Sequence, residues 1–159
     1  MSNTLTIRTV ESGDLPAIAD LWCALQRAQE PHHPRWSVSP RQHRRYLEDL
    51  GELVGASGHV HRVVVESTGR PVGFCHGEIV EPPTYDAEDR IGRITAIFVD
   101  PAVRDAGIGS ALVSAVVEAL ESDGATRIEA TISAENDGAI RFFERARFSL
   151  LTVTLTRES

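Results

Sequence analysis

Apolar and polar positions along the chain fall into segments of two periods. Residues 5–10, Leu-Thr-Ile-Arg-Thr-Val, alternate as a half-buried strand does. Glu11, Ser12 and Asp14 then supply capping oxygens and Pro16 an early helical proline. Leu15, Ile18, Leu21, Trp22 and Leu25 follow at the three- and four-residue spacing of a helix with one buried face. The prolines at 31, 34 and 40 forbid its continuation, so a structured loop precedes a second helix over 40–50, ended by Gly51. Residues 60–66 and 71–80, joined by Ser67-Thr68-Gly69-Arg70, predict a β-hairpin. A polar connection over 81–90 leads into an apolar strand over 94–99, and Asp100-Pro101 stops it. A helix begins near Gly107 with Ile108, Ala111, Leu112, Ala115, Val116, Ala119 and Leu120 on one face, and Ser122-Asp123-Gly124 ends it. Residues 127–132 alternate again. Asn136-Asp137-Gly138 opens a helix bearing Ala139, Ile140, Phe143 and Ala146, and residues 148–156 close the chain as a strand. The order predicts an α/β sheet with helices on both faces.

The turn after the 94–99 strand is where chemistry concentrates. Arg104-Asp105-Ala106-Gly107-Ile108-Gly109-Ser110 places two glycines where a helix starts, so backbone N–H groups lie uncovered with the positive end of the helix dipole behind them. That arrangement suits a phosphate or pyrophosphate, and Arg104 adds a charged fork able to grip its oxygens. The competing reading is that Gly107 and Gly109 only permit a tight turn and close helix–strand packing. Neither a Walker loop nor a three-glycine dinucleotide fingerprint is present.

Composition narrows the class. The 159 residues are 42% hydrophobic and 25% charged, as in an ordinary globular chain of one domain. Without a long apolar run or a basic, apolar leader, the expectation is a cytoplasmic protein that engages no membrane. The net charge of −7 argues against nucleic acid and is compatible with a cationic substrate, or with solubility alone. Cys23 and Cys75 are expected as buried free thiols, and the histidine pairs His32-His33 and His59-x-His61 as loop or strand-surface residues, so no metal is expected.

Val99-Asp100-Pro101 followed by Arg104-x-x-Gly107-x-Gly109 resembles the acetyl-CoA loop of the GCN5-related N-acetyltransferase (GNAT) superfamily. Asn136-x-x-Ala139-Ile140-x-Phe142-Phe143-Glu144, with Phe148 after it, resembles a second superfamily pattern. The opening Asp14-Leu15-Pro16-Ala17-Ile18 is a weaker match to its first βα unit. Together these span essentially the whole chain. The resemblance implies a single domain over 1–159 with a mixed central sheet of about six to seven strands and helices on both faces. It implies direct transfer of an acetyl group from acetyl-CoA to a primary amine of a small cationic molecule or peptide, with a homodimer left open. By the same resemblance the backbone of Ile97, Phe98 and Val99 pairs with pantetheine. Arg104, Asp105, Ala106, Gly107, Ile108, Gly109 and Ser110 hold the pyrophosphate, and Asn136 contacts the arm. The region between the first two helices lines the acceptor pocket in that superfamily, which makes His32, His33 and Trp36 candidates there; the alternative for Trp36 is a cap on the core edge.

Three residues depart from the pattern. Phe143 stands where a tyrosine is usual, Arg147 where a glycine is usual, and Thr95 where many members that acetylate polyamines and amino acids carry glutamate. An amine with a pKa of ~10 needs a proton acceptor before it attacks, and Glu78 is the first candidate, then Glu88 and Asp89, with ordered water in competition. A CoA thiol leaves tolerably as a thiolate, so a missing acid at 143 slows the reaction without abolishing it, or leaves the proton to water or to Tyr85. The alternative function is a non-catalytic acyl-CoA-binding domain, which Phe143 and Thr95 would favour.

Overall fold

The computed structural model describes residues 4–32, 38–87, 90–104 and 107–159. Its strands are β1 (Thr6–Thr9), β2 (His59–Val65), β3 (Pro71–Val80), β4 (Ile91–Val99) and β5 (Arg127–Ala130). Its helices are α1 (Leu15–Gln29), α2 (Pro40–Leu53), α3 (Ile108–Ser122) and α4 (Asp137–Arg145). The strands form one sheet in the order β1-β2-β3-β4-β5, antiparallel up to β4 and parallel between β4 and β5.

The alternation of β2 and β3 dictates two apolar layers. Val60, Val64, Cys75 and Ile94 pack with Leu112, Val116 and Leu120 of α3 and Phe143 of α4. On the opposite face Val63, Val65, Phe74 and Phe98 pack with Ile18 of α1 and Leu50 of α2. Helices therefore cover both faces. Gly77 sets the approach of α3, because a β-carbon there would lie 2.8 Å from Val116 Cγ1 and 2.9 Å from Leu120 Cδ1. The entry to α1 is fixed by Asp14, whose buried carboxylate accepts from both terminal nitrogens of Arg8, at 2.7 and 3.0 Å, and from Glu11 N–H at 2.8 Å. The guanidinium holds that carboxyl below its ordinary pKa. Cys23 and Cys75 are buried free thiols, and burial pushes both above the ordinary thiol value. Among the described residues no helix is long and apolar enough to cross a membrane.

The sheet has five strands among the described residues, not six to seven. Residues 148–156, expected as a closing strand, form none: the alternation from Leu151 to Thr156 specifies an amphipathic extended chain and says nothing about the edge it will pair with. β5 also ends at Ala130 rather than at 132: Ser133 Oγ donates to the His32 carbonyl at 2.9 Å, which draws the chain toward the end of α1 and away from β4. Gly51 lies inside α2, whose left-handed terminator is Gly55 at φ 82°. Arg147, in the place of the usual glycine, adopts φ 71° at the end of α4, and its N–H reaches Glu144 O while Phe148 N–H reaches Phe143 O. A β-branched or bulky residue there carries a cost of ~1 kcal/mol that glycine would not.

Candidate functional site

β4 runs on through Val99, whereas its last pair with β5 is Ile94 with Ala130. From Thr95 onward the strand has an open edge toward β5. Asp100 N–H donates to Val72 O at 2.8 Å, and the alternation of an antiparallel ladder then turns the backbone groups of Phe98 toward β3 and those of Ile97 and Val99 toward the open side. Phe98 thus differs from its neighbours, and its side chain is also buried in the α1-facing layer. At the start of the open stretch β4 carries a bulge: His76 pairs with Ala96 and Gly77 with Ile94, which leaves Thr95 between them, exposed, its hydroxyl donating to His76 O at 3.3 Å.

The open edge leads directly to the start of α3. Gly107 takes φ 81°, which glycine adopts without strain, and the first helical bond runs from Ala111 N–H to Gly107 O at 2.9 Å. The amides of Ile108, Gly109 and Ser110 precede it and have no acceptor within the helix. Arg104, three positions before Gly107 in the chain, donates from Nε to Val99 O at 2.7 Å and places its guanidinium carbon 5.1 Å from the Phe98 ring centre. Gly109 serves packing as well, since a β-carbon there would lie 3.2 Å from Phe142 Cε2. Asp105 and Ala106 lie outside the described residues. A pocket of about 400 Å³ opens between α1 and this end of β4, with Leu21, Ala24, Ala28, Phe98 and Pro101 as apolar lining, Arg27 and Arg104 as cations and Asp100 as the one carboxylate. Open strand amides, helix-start amides and arginines on an apolar slot can hold an extended polar chain ending in an anion.

A second group of polar side chains lies on the α1–α2 face near the bulge. Tyr46 of α2 stacks on Trp22 of α1, ring centres 4.3 Å apart, and its hydroxyl is 2.7 Å from His76 Nε2. The His76 ring is 4.4 Å edge-on from that of His61, which is followed at 6.3 Å by His59. His61 and His76 are buried, and Nδ1 of each has no hydrogen-bond partner. Burial, then the neighbouring His59, lowers His61 to about 4, and burial, then His61, lowers His76 to about 3. Burial likewise raises the Tyr46 phenol above its ordinary value. All three groups are therefore neutral near pH 7. At the outer end of the row Glu78 Oε2 is 4.0 Å from His59 Nδ1, both side chains partly exposed. Glu78 is the group the sequence singles out, while Tyr46 and His76 are not among its candidates, and His61, expected with His59 on the strand surface, is instead buried because it faces the α1–α2 layer. The signal available was a histidine in the middle of an apolar strand, between Cys75 and Gly77, where a polar ring must find a partner.

The remaining candidates are dispersed. Asn136 caps α4, its Oδ1 accepting from Ala139 N–H at 3.1 Å. His32 ends the turn after α1 and is tied through its carbonyl to Ser133. Tyr85 is 90% exposed on the β3–β4 connection and lines neither this pocket nor the open edge. His33, Trp36, Glu88 and Asp89 lie outside the described residues. Among the described residues no group of three or more His, Cys, Asp or Glu side chains is arranged to hold a metal ion.

Phe143 is 6% exposed and packs edge-on against Phe142 and Phe148, ring centres 5.2 and 5.1 Å away. Its ring is a core element. Phe143→Tyr is accordingly expected to bury an unpartnered hydroxyl, lower stability by ~1–3 kcal/mol and add no rate below the thiol pKa. A thermal melt combined with a pH–rate profile checks this; a gain in rate at low pH would show instead that the hydroxyl reaches the leaving group.

The family model described as the acetyltransferase (GNAT) family matches residues 15–148. An uncharacterized N-acetyltransferase of Methanocaldococcus jannaschii is 30% identical over 145 residues, which is 91% of this chain and 61% of that protein. The mycothiol acetyltransferase of Salinispora tropica is 28% identical over 152 residues, 91% of this chain and 45% of its own length. The chain thus spans about half to three fifths of these relatives. The aminoglycoside N-acetyltransferase AAC(6')-Iy, solved with CoA, superposes with a TM-score of 0.77 at 17% identity, covering 100% of this chain and 97% of that one, which shows the shared fold. With the matched span running from the start of α1 to Phe148, just beyond α4, and the open-edged β4 and glycine-started α3 inside it, the chain belongs to the GNAT family of acetyltransferases.

Proposed function

We propose that the protein transfers an acetyl group from acetyl-CoA to a primary amine of a small molecule or peptide. The observation that carries this reading is the continuity of the open β4 edge with the start of α3 and Arg104. Ile97 and Val99 would pair with the pantetheine arm as an added strand would, while the amides of Ile108, Gly109 and Ser110 and the Arg104 guanidinium would take the pyrophosphate. The Leu21–Phe98 side of the pocket would exclude water from the arm. Bound in this way, the cosubstrate supplies an activated thioester, and a β4 amide near the bulge would stabilise the developing oxyanion. The solved neighbour with CoA supports this use of the fold, and relatives named for mycothiol and aminoglycosides support small amines as the acceptor class.

The proton of the incoming ammonium must leave before attack. His61 and His76 are poor acceptors for it because their imidazoles stay neutral down to acid pH. Glu78 with His59, at the solvent end of the row, is the proposed acceptor, reached through water. Tyr46, His76 and Trp22 would form a neutral wall that orients the amine.

Phe143 in the core gives a second reading some support: an acyl-CoA-binding domain without turnover. A panel of amines added to protein and acetyl-CoA, read by thiol release, separates the two. Release dependent on one class of amine is the expected result; tight acetyl-CoA binding with no release from any amine would establish the binding domain instead.

A further inference from the structure

One row of charged side chains crosses the sheet next to the bulge. The registers set His59 of β2 opposite Glu78 of β3, Glu78 opposite Arg93 of β4, and Arg93 opposite Glu129 of β5. All four face away from α3. A β-carbon at Gly77 would lie 2.8 Å from Val116 Cγ1 and one at Gly92 3.1 Å from Leu120 Cβ, so Glu78 and Arg93, one residue further along their strands, point to the other side. His59 and Glu129 alternate in the same way with Val60, Ile128 and Ala130 of the α3 layer. The two arginines of this corner are treated differently. Arg127 is saturated, donating to Glu129 at 2.8 and 3.1 Å and to Asp86 at 2.6 and 3.1 Å. Arg93 is half-buried and has a carboxylate in register on each side, yet its side chain makes no hydrogen bond or ion pair with a described residue. A guanidinium partly withdrawn from water in this way leaves its donors to be met from outside the fold.

The place of Arg93 beside the proposed transfer site says what would meet them. It comes two residues before Thr95, about 7 Å along β4 from the bulge near which the thioester would be polarised. Its cross-strand neighbour Glu78 is the group proposed to take the ammonium proton through water, and the ion-pair partner of Glu78 among the described residues is His59, at 4.0 Å. An acceptor nitrogen between the bulge and Glu78 therefore has an unpaired guanidinium within side-chain reach of its neighbouring carbon. A carboxylate on that carbon matches the planar fork in bidentate fashion, whereas a second ammonium there would be repelled. We infer that the acceptor is an α-amino acid, its amine directed to Glu78 and its α-carboxylate held by Arg93. This assignment takes the position of the amine from the proposed acetyl transfer, and it excludes polyamines and other polycations as preferred acceptors.

The experiment titrates the standard α-amino acids, each with its α-amide as the match lacking the carboxylate, into CoA-saturated protein by calorimetry, and follows thiol release from acetyl-CoA with the same compounds. The parent is compared with Arg93→Gln and with Arg93→Lys, which keeps the charge and loses the fork. Thermal melts run in parallel, and both variants should fold, because the side chain has no partner to lose. Expected is at least one amino acid that binds the parent about 10- to 100-fold more tightly than its amide, the range for one or two charge-assisted hydrogen bonds. That ratio should fall to near one in Arg93→Gln and lie between the two in Arg93→Lys. Equal binding of acid and amide by the parent, or no binding of any amino acid, would overturn the inference. So would a preference that survives Arg93→Gln, since the carboxylate would then be held elsewhere. Thiol release confined to amines without a carboxylate would overturn it too and leave the acetyl transfer standing. Arg93-dependent binding of amino acids without thiol release would uphold the site and overturn the transfer reading alone.

Discussion

Acidification through the range from about 6.5 to about 4 is expected to destabilise the protein steeply, and His61 and His76 are the groups responsible. Each imidazole is neutral in the native state to well below 6.5, whereas in the unfolded chain it protonates near that value. The unfolded state therefore binds more protons throughout the window. Stability contributed by the neutral rings is complete above about 6.5, declines as pH falls, and levels off only below the native values of about 4 and 3. With the more solvent-screened His61 discounted, the loss is on the order of a few kcal/mol, most of it from His76, and is a sizeable share of the ~5–15 kcal/mol that holds a typical domain together.

Burial sets the direction of both shifts, and the groups facing the pair do not oppose it. Tyr46 and Trp22 from above and Phe74 beside His76 offer no negative charge, and His59 and Arg62 add positive charge next to His61. Asp14 acts in a different window, because its pKa is held down by Arg8 and the stability it contributes is lost only below the ordinary carboxyl value of 3.8. His61→Leu removes one titrating ring and an unpartnered Nδ1 from a buried site of similar volume. The variant should be at least as stable near neutrality and should unfold at lower pH, with the slope of stability against pH reduced by close to one proton. Urea melts at stepped pH values measure both quantities. An unchanged acid midpoint in the variant would mean that the histidine row is solvated and that carboxylates govern the acid transition.

The histidine row also shows where the sequence was legible and where it was not. Helical and strand periods are local properties, so α1, α3, α4 and the β2–β3 hairpin could be read from the spacing of Leu15, Ile18 and Leu21, of Leu112 and Val116, of Ile140 and Phe143, and of Val60 and Val64. The glycine-started α3 could be read because Gly107 and Gly109 leave few other conformations to the turn. Properties that depend on which strands become neighbours could not. His61 and His76 are separated by a hairpin and Tyr46 comes from a helix, so their meeting follows from the β2–β3 register and from the seat of α2. The bulge that leaves Thr95 unpaired opposite the His76–Gly77 step is likewise a register event, since neither neighbour of Thr95 on β4 is a glycine or proline. Phe143 is ambiguous for a related reason: its spacing with Ile140 places it on the buried stripe, but its burial between Phe142 and Phe148 follows from how α4 and the turn after it pack.

Arg104→Gln is expected to weaken acetyl-CoA binding about 10- to 100-fold, the loss associated with one or two charge-assisted hydrogen bonds to a phosphate oxygen. On the proposed reading Arg104 has two tasks: Nε holds the Val99 carbonyl at 2.7 Å and so fixes the open edge, while the rest of the guanidinium, lying over Phe98, would take a phosphate oxygen. Glutamine retains a donor for the carbonyl but loses the charge, so the fold should persist and the pyrophosphate should lose its cation. The effect should shrink at high salt, since the lost attraction is screened, and vanish for an acetyl-pantetheine donor that has no pyrophosphate. Gly109 offers an instructive contrast. A substitution to alanine there presses on the Phe142 ring, so it should lower the melting temperature as well as affinity, and it cannot by itself separate binding from packing. Calorimetric titration of both donors against Arg104→Gln makes that separation. If acetyl-CoA binds the variant as tightly as the parent, the start of α3 is not the pyrophosphate site; if both donors weaken equally, Arg104 acts only by holding Val99 and shaping the strand edge.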